Sequence, residues 1–236
     1  MQSKKIILFI VEGIHDKTSL SICLSDLLEG ASVHFVLTNG DITSRYGTSP
    51  KNISERIGTI IKKFSGSIFK PKDFFEVVHI IDTDGAFVSE EHIKKVAKVE
   101  EGSPHTKYKP EEILTPDPMN IKERNDQKSD VIERMLSIEK VWRTIPYHVY
   151  YFSSNMDHVL HNNPNLTREE KEQMAEEFEN QYYNKPKEFI KIFQKNDLAV
   201  QGNYEETWDF IKLDCNSLKR YSNFGIYLEE RKSKTR

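Results

Sequence analysis

Ile6-Ile7-Leu8-Phe9-Ile10-Val11-Glu12-Gly13 is an unbroken apolar run that stops on a carboxylate and a glycine. Six apolar residues in a row, bounded by turn-forming chemistry, read as a strand buried on both faces, as central strands of parallel sheets are. A second run, Val77-Val78-His79-Ile80-Ile81, ends on Asp82-Thr83-Asp84-Gly85. Ligands of open α/β sheets bind outside the carboxyl ends of the strands. Acids delivered by two such ends therefore predict one shared cation site.

Working outward, Leu20, Cys23, Leu24, Leu27 and Leu28 recur at helical spacing before Gly30, and a short strand follows at 33–37. Ser49 and Pro50 predict the start of a helix carrying Ile53, Ile57, Ile60, Ile61 and Phe64 on one face. The third strand spans 75–81. Ser89 then reads as the cap of another helix, with Ile93, Val96 and Ala97 inward. Prolines 104, 110, 116 and 118 make 101–128 read as a long loop or insertion. A helix over 129–141 and a strand over 147–152 resume the alternation. Strand and helix in turn predict an α/β protein with a mostly parallel, Rossmann-like sheet flanked by helices. From residue 158 the composition shifts to charged helical patterns, with a capping box at Thr167-Arg168-Glu169-Glu170. The predicted organisation is a catalytic domain over 1–157 and a mainly helical C-terminal region over 158–236 packed on it, its tail from 229 frayed.

The chain has 236 residues, 37% apolar and 30% charged, with a net charge of −3. That balance gives no general pull toward polyanions, so any nucleic-acid binding must come from local patches or metal ions. The two cysteines, Cys23 and Cys215, carry no motif. The apolar start is too short for a signal peptide, and no run approaches the roughly 20 apolar residues of a membrane span. A cytoplasmic protein with no membrane partner is expected.

Asp82 and Asp84, two residues apart at a strand end, repel unless a cation or a proton lies between them. Gly85 lets the backbone bend where a side chain would obstruct the site, and Gly13 serves the same purpose after Glu12. Asp16 follows Glu12 by one helical turn, so both acids face one way if a helix starts near Gly13. Oxygen ligands without a nearby cysteine favour one or two Mg²⁺ or Mn²⁺ ions. Ser153, Asn155 and Asp157 follow the last strand at the same expected edge. Lys17, Lys219 and Arg220 are candidates to neutralise phosphate, Lys219 as a catalytic stabiliser of developing charge. Tyr221 is a candidate to stack on a base.

Val11-Glu12-Gly13 after one hydrophobic strand, with Asp82-Thr83-Asp84-Gly85 after another, resembles the TOPRIM domain of topoisomerases, primases and overcoming-lysogeny-defect nucleases. The resemblance covers roughly 4–155. It implies that Glu12 is the family's lone glutamate, Asp82 and Asp84 its metal-binding pair, and Asp16 the extra acid of the nuclease branch. It also implies a second-metal role for polar or acidic residues after the fourth strand, Asp157 among them. The chain lacks a Gly-x-x-x-x-Gly-Lys-Ser/Thr loop and so looks like the small stand-alone TOPRIM nucleases, some of which act beside a separate ABC-type ATPase in anti-phage defence.

The resulting expectation is a Mg²⁺- or Mn²⁺-dependent endonuclease acting on DNA or RNA, latent until a partner ATPase releases it. Two alternatives stay open, as does a homo-oligomer. One is a haloacid-dehalogenase-like phosphatase with Asp82 as nucleophile, which leaves Glu12 without a task. The other is a non-catalytic subunit that binds nucleic acid or an ATPase.

Overall fold

The computed structural model describes residues 4–97 and 104–234. Within them a central sheet runs in the order β2-β1-β3-β8-β7. Its strands are β1 (Ile6–Val11), β2 (Ser32–Leu37), β3 (Phe74–Asp82), β7 (Lys140–Val141) and β8 (Ile145–Phe152). All neighbours are parallel except β7, which runs antiparallel at the edge. The fold is α/β with a mostly parallel sheet covered by helices, compatible with the Rossmann-like class.

Every residue of β1 is buried. Its side chains alternate between two cores, as the strand period of two requires. Ile6, Leu8 and Ile10 meet Ile53, Ile57 and Ile61 of α2 (Ile53–Ser65), with Val131, Ile132 and Met135 of α3 (Pro118–Leu136). Ile7, Phe9 and Val11 join the opposite core with Leu20, Cys23 and Leu24 of α1 (Ile14–Leu27).

The C-terminal third covers both faces. Phe178, Phe189 and Phe224 bring α5 (Arg168–Tyr182), α6 (Pro186–Ile192) and α8 (Phe224–Lys234) onto the α1 side. Trp208 and Ile211 bring α7 (Tyr204–Lys212) onto the α2 side. The tail expected to fray continues α8 as far as Lys234.

Three expectations change. The segment after Ser89 makes only a 3-10 turn, Glu90–His92, before strand β4 (Ile93–Lys95), so Ile93 packs inward from a strand rather than a helix. Of the expected loop 101–128, residues 101–103 lie outside the described residues. The rest forms β5 (Lys107–Lys109), β6 (Glu112–Thr115) and the first half of α3. A small sheet, β4-β6-β5, results. Its prolines mark boundaries: Pro110 lies in the β5–β6 turn and Pro118 is the first residue of α3, where a missing N–H costs nothing. Third, α2 begins at Ile53 with Asn52 preceding it, later than Pro50 suggests.

Candidate active site

The order β2-β1-β3 places the reversal of strand order between β1 and β3, where α/β folds open a crevice at the carboxyl ends. Glu12 leaves β1 there and Asp82 ends β3. The Asp82 backbone N–H lies 3.4 Å from Glu12 Oε1, a long contact that nonetheless brings the two acids side by side across the switch point. Asp82 Oδ1 accepts from the Met156 N–H at 2.9 Å, at the start of α4 (Met156–His161).

The turn carrying these acids is held by backbone. Thr83 N–H donates to Phe152 O and Asp84 N–H to Ser154 O at 2.7 Å, so the turn extends the pairing of β3 with β8. The Thr83 hydroxyl donates to Ser217 O, and the Ser154 N–H donates back to that hydroxyl. Asp84 has φ 50° and Gly85 φ 70°. A Cβ on Gly85 would lie 2.6 Å from Leu218 Cδ2 and 2.9 Å from Ile113 Cδ1, so both its left-handed backbone and its packing require glycine. Gly13 differs: it opens α1 with an extended φ of −135°, and a Cβ there would make only ordinary contact with Asp16 at 3.7 Å.

Four residues not singled out in the sequence, Lys128, Asp41, Tyr108 and Arg124, complete the cluster. Lys128 of α3, with no exposed side-chain surface, donates to Asp84 Oδ2 at 2.6 Å and to Asp41 Oδ2 at 2.9 Å. Asp41 comes from the loop after β2, which the Gly40 N–H ties to Glu12 O at 3.0 Å. Asp41 also accepts from the Thr43 and Ser44 hydroxyls. Tyr108, reaching in from β5, donates to Asp84 Oδ1 at 3.0 Å. Arg124 donates to the Tyr108 hydroxyl and, at 2.7 Å, to Asp84 O. Asp84 thus has both carboxylate oxygens engaged by the protein.

On the other flank, Asp16 Oδ2 accepts from Gly13 N–H at 2.8 Å, and Asp157 pairs with Lys171 of α5 at 2.7 Å. The remaining candidates lie elsewhere or are committed. Arg220 gives its guanidinium to the carbonyls of His158 and Val159 at the end of α4 and to Asp197. Tyr221 packs edge-on against Phe210, half-buried, rather than presenting a free face. Lys219 donates to Asn216 and lines a separate cavity of about 550 Å³ with His92, Glu111 and Cys215. Lys17 is exposed. Buried Ser153 donates to Asn216 O, and Asn155 caps α4 by accepting from His158 N–H.

The electrostatics divide the acids. Burial, then the charges of Asp41, Asp84 and Asp16, push the Glu12 carboxyl well above its ordinary range against the opposing pull of Lys128. Burial, then Glu12, Asp16 and Asp84, do the same to Asp82. Burial and Asp157 push Asp16 up to about 6, although the Gly13 N–H and Lys171 work against them. Asp41 goes the other way: burial favours its neutral form, but Lys128 and the two hydroxyls outweigh it and hold the carboxyl low. Burial opposes the Lys128 charge, yet Asp41, Asp84 and Glu12 keep the ammonium firmly protonated. Glu12 and Asp82 are therefore the uncompensated pair.

Among the described residues, no three His, Cys, Asp or Glu side chains already form a ligand cage. The reason is visible in the partners: Asp84 turns to Lys128 and Tyr108, Asp157 to Lys171, and Asp16 to its own helix start. The donors nonetheless fit a hard divalent ion, being carboxylates only, gathered at one rim, with Glu12 and Asp82 in no ion pair among the described residues. No family model, curated protein or solved structure matches the chain.

Proposed function

We propose that the chain is a Mg²⁺- or Mn²⁺-dependent nuclease of the TOPRIM kind, with Glu12 and Asp82 as its primary metal ligands and Asp16 and Asp84 beside them. The observation that carries this reading is the meeting of Glu12 and Asp82 at the β1/β3 switch point, both driven toward protonation despite the pull of Lys128 and in no ion pair among the described residues. Two half-buried carboxylates in that state cost stability, and a divalent ion is what converts the cost into function. When bound, the ion supplies Lewis-acid stabilisation of the scissile phosphate and lowers the pKa of water. The protein's own part is to fix the acids. The Phe152 and Ser154 carbonyls set the Asp82–Asp84 turn, and Tyr108, Arg124 and Lys128 hold Asp84 in one orientation.

In this reading Arg220 and Tyr221 shape the fold, and substrate contacts come from other residues at the rim. DNA or RNA is the substrate, and cytoplasmic action beside a separate ATPase in anti-phage defence is the setting the motif resemblance favours. The chain, alone and with an ATPase encoded beside it, should nick supercoiled plasmid or cut RNA with Mn²⁺, and a chelator should stop it. Absence of cleavage in both preparations, over a range of Mn²⁺ and substrates, counts against the reading.

A further inference from the structure

The geometry points to a site built for a single divalent ion, with the Lys128 ammonium as an internal cation in the place a second ion would otherwise take. The inference rests on the metal reading of Glu12 and Asp82, and adds a count and a residue to it.

Two-metal phosphodiester sites hold their ions about 4 Å apart, bridged by shared carboxylates. Here the acids fall into two groups. Glu12 and Asp82 meet without a cation between them. Asp41 and Asp84 are already bridged, through one oxygen each, by Lys128 Nζ at 2.9 and 2.6 Å. The remaining oxygens of that second group are occupied as well. Asp84 Oδ1 takes the Tyr108 hydroxyl, and Asp41 Oδ1 takes the Thr43 N–H and hydroxyl. A divalent ion entering there would have to displace a fully buried ammonium and break hydrogen bonds from Tyr108, Thr43 and Ser44.

Lys128 is not a surface lysine that drifted inward. It lies on the buried stripe of α3 with Ile121, Asn125, Ile132 and Met135, so its stem is packed and its head is aimed at the site. A lysine with no exposed side-chain surface and both carboxylates satisfied does not reach out to a substrate phosphate. It is a positioning residue: it holds the Asp84 carboxylate on its own ammonium and supplies fixed positive charge beside the Glu12–Asp82 pair.

Counting Mn²⁺ bound to the full chain, by loss of the free-ion electron paramagnetic resonance signal, tests this without any turnover. The wild-type protein should take up one Mn²⁺ per chain. Asp41→Asn, which leaves Lys128 on Asp84, should also take up one. Lys128→Met, which frees Asp41 and Asp84 together, should take up two. Two ions on the wild type overturn the lysine's role while leaving the metal reading intact; none overturns both. A folded Lys128→Met protein that still binds one ion also overturns the role. If Lys128→Met does not fold, the wild-type and Asp41→Asn counts decide.

Discussion

Glu12→Gln and Asp82→Asn should each lower Mn²⁺-supported cleavage by about 10²–10³-fold or more, the scale of removing one electrostatic stabiliser of a transition state. Each should at the same time make the metal-free protein more stable. The amides preserve shape and retain an oxygen that accepts from Asp82 N–H and Met156 N–H respectively. What they remove is charge that the fold cannot compensate. The gain should be on the order of 1 kcal/mol at pH 8, typical of relieving one unfavourable site. In a chain of this size that is about 2–4 °C in Tm.

The sign with pH follows from the direction of the shifts. Glu12, Asp82 and Asp16 hold their protons to higher pH in the folded protein than in the unfolded chain. Below the ordinary carboxylate range all three are protonated in both states and contribute no penalty. As pH rises the unfolded chain loses these protons first, so stability falls; for Asp16 the loss accrues up to about 6. The Glu12→Gln/Asp82→Asn protein should therefore match the wild type below about pH 3, under the ordinary carboxylate range, and exceed it near pH 8. Saturating Mn²⁺ should erase the difference by stabilising only the wild type. Equal stability of the two metal-free proteins at both pH values would remove the electrostatic basis of the site.

The second large effect belongs to Lys128. Lys128→Met without metal should cost about 3–5 kcal/mol, the range for breaking a buried ion pair by deleting one partner. Methionine fills the stem's volume, so most of the loss is the charge left on Asp41 and Asp84. Adding Asp41→Asn and Asp84→Asn to Lys128→Met should recover most of it, because two neutral amides beside a methionine need no counter-charge. Urea denaturation of the wild type, Lys128→Met and the triple variant measures this. A Lys128→Met protein within about 0.5 kcal/mol of wild type, the scale of ordinary surface substitutions, would show that the bridge contributes nothing.

The sequence carried the acids of the central strands plainly. β1 is buried along its whole length and β3 from Glu76 to Ile81, so a carboxylate directly after either buried stretch has few structural explanations. Asp41 and Lys128 were less legible for opposite reasons. Asp41 follows Asn39-Gly40 in a polar stretch, where an aspartate ordinarily only shapes a turn. Lys128 lies inside the segment whose prolines read as a long loop or insertion, whereas Pro110, Pro116 and Pro118 bound β5, β6 and α3. Once α3 is drawn from Pro118, a lysine on the stripe Ile121, Asn125, Ile132, Met135 is a visible anomaly.

Arg220 and Tyr221 show the converse. Their types suit nucleic acid, but the His158 and Val159 carbonyls in the last turn of α4 claim the guanidinium, and Phe210 claims the ring. Residue type alone does not separate a phosphate contact from a helix-end contact, since a carbonyl cluster and a phosphate both present oxygen acceptors.

A crystal of the full chain grown or soaked with Mn²⁺ and measured for anomalous scattering tests the account most directly. It predicts one peak bonded to carboxylate oxygens of both Glu12 and Asp82, with Lys128 still joining Asp41 to Asp84. A fully exchanged crystal with no peak there, or with manganese held only at other residues, would contradict it.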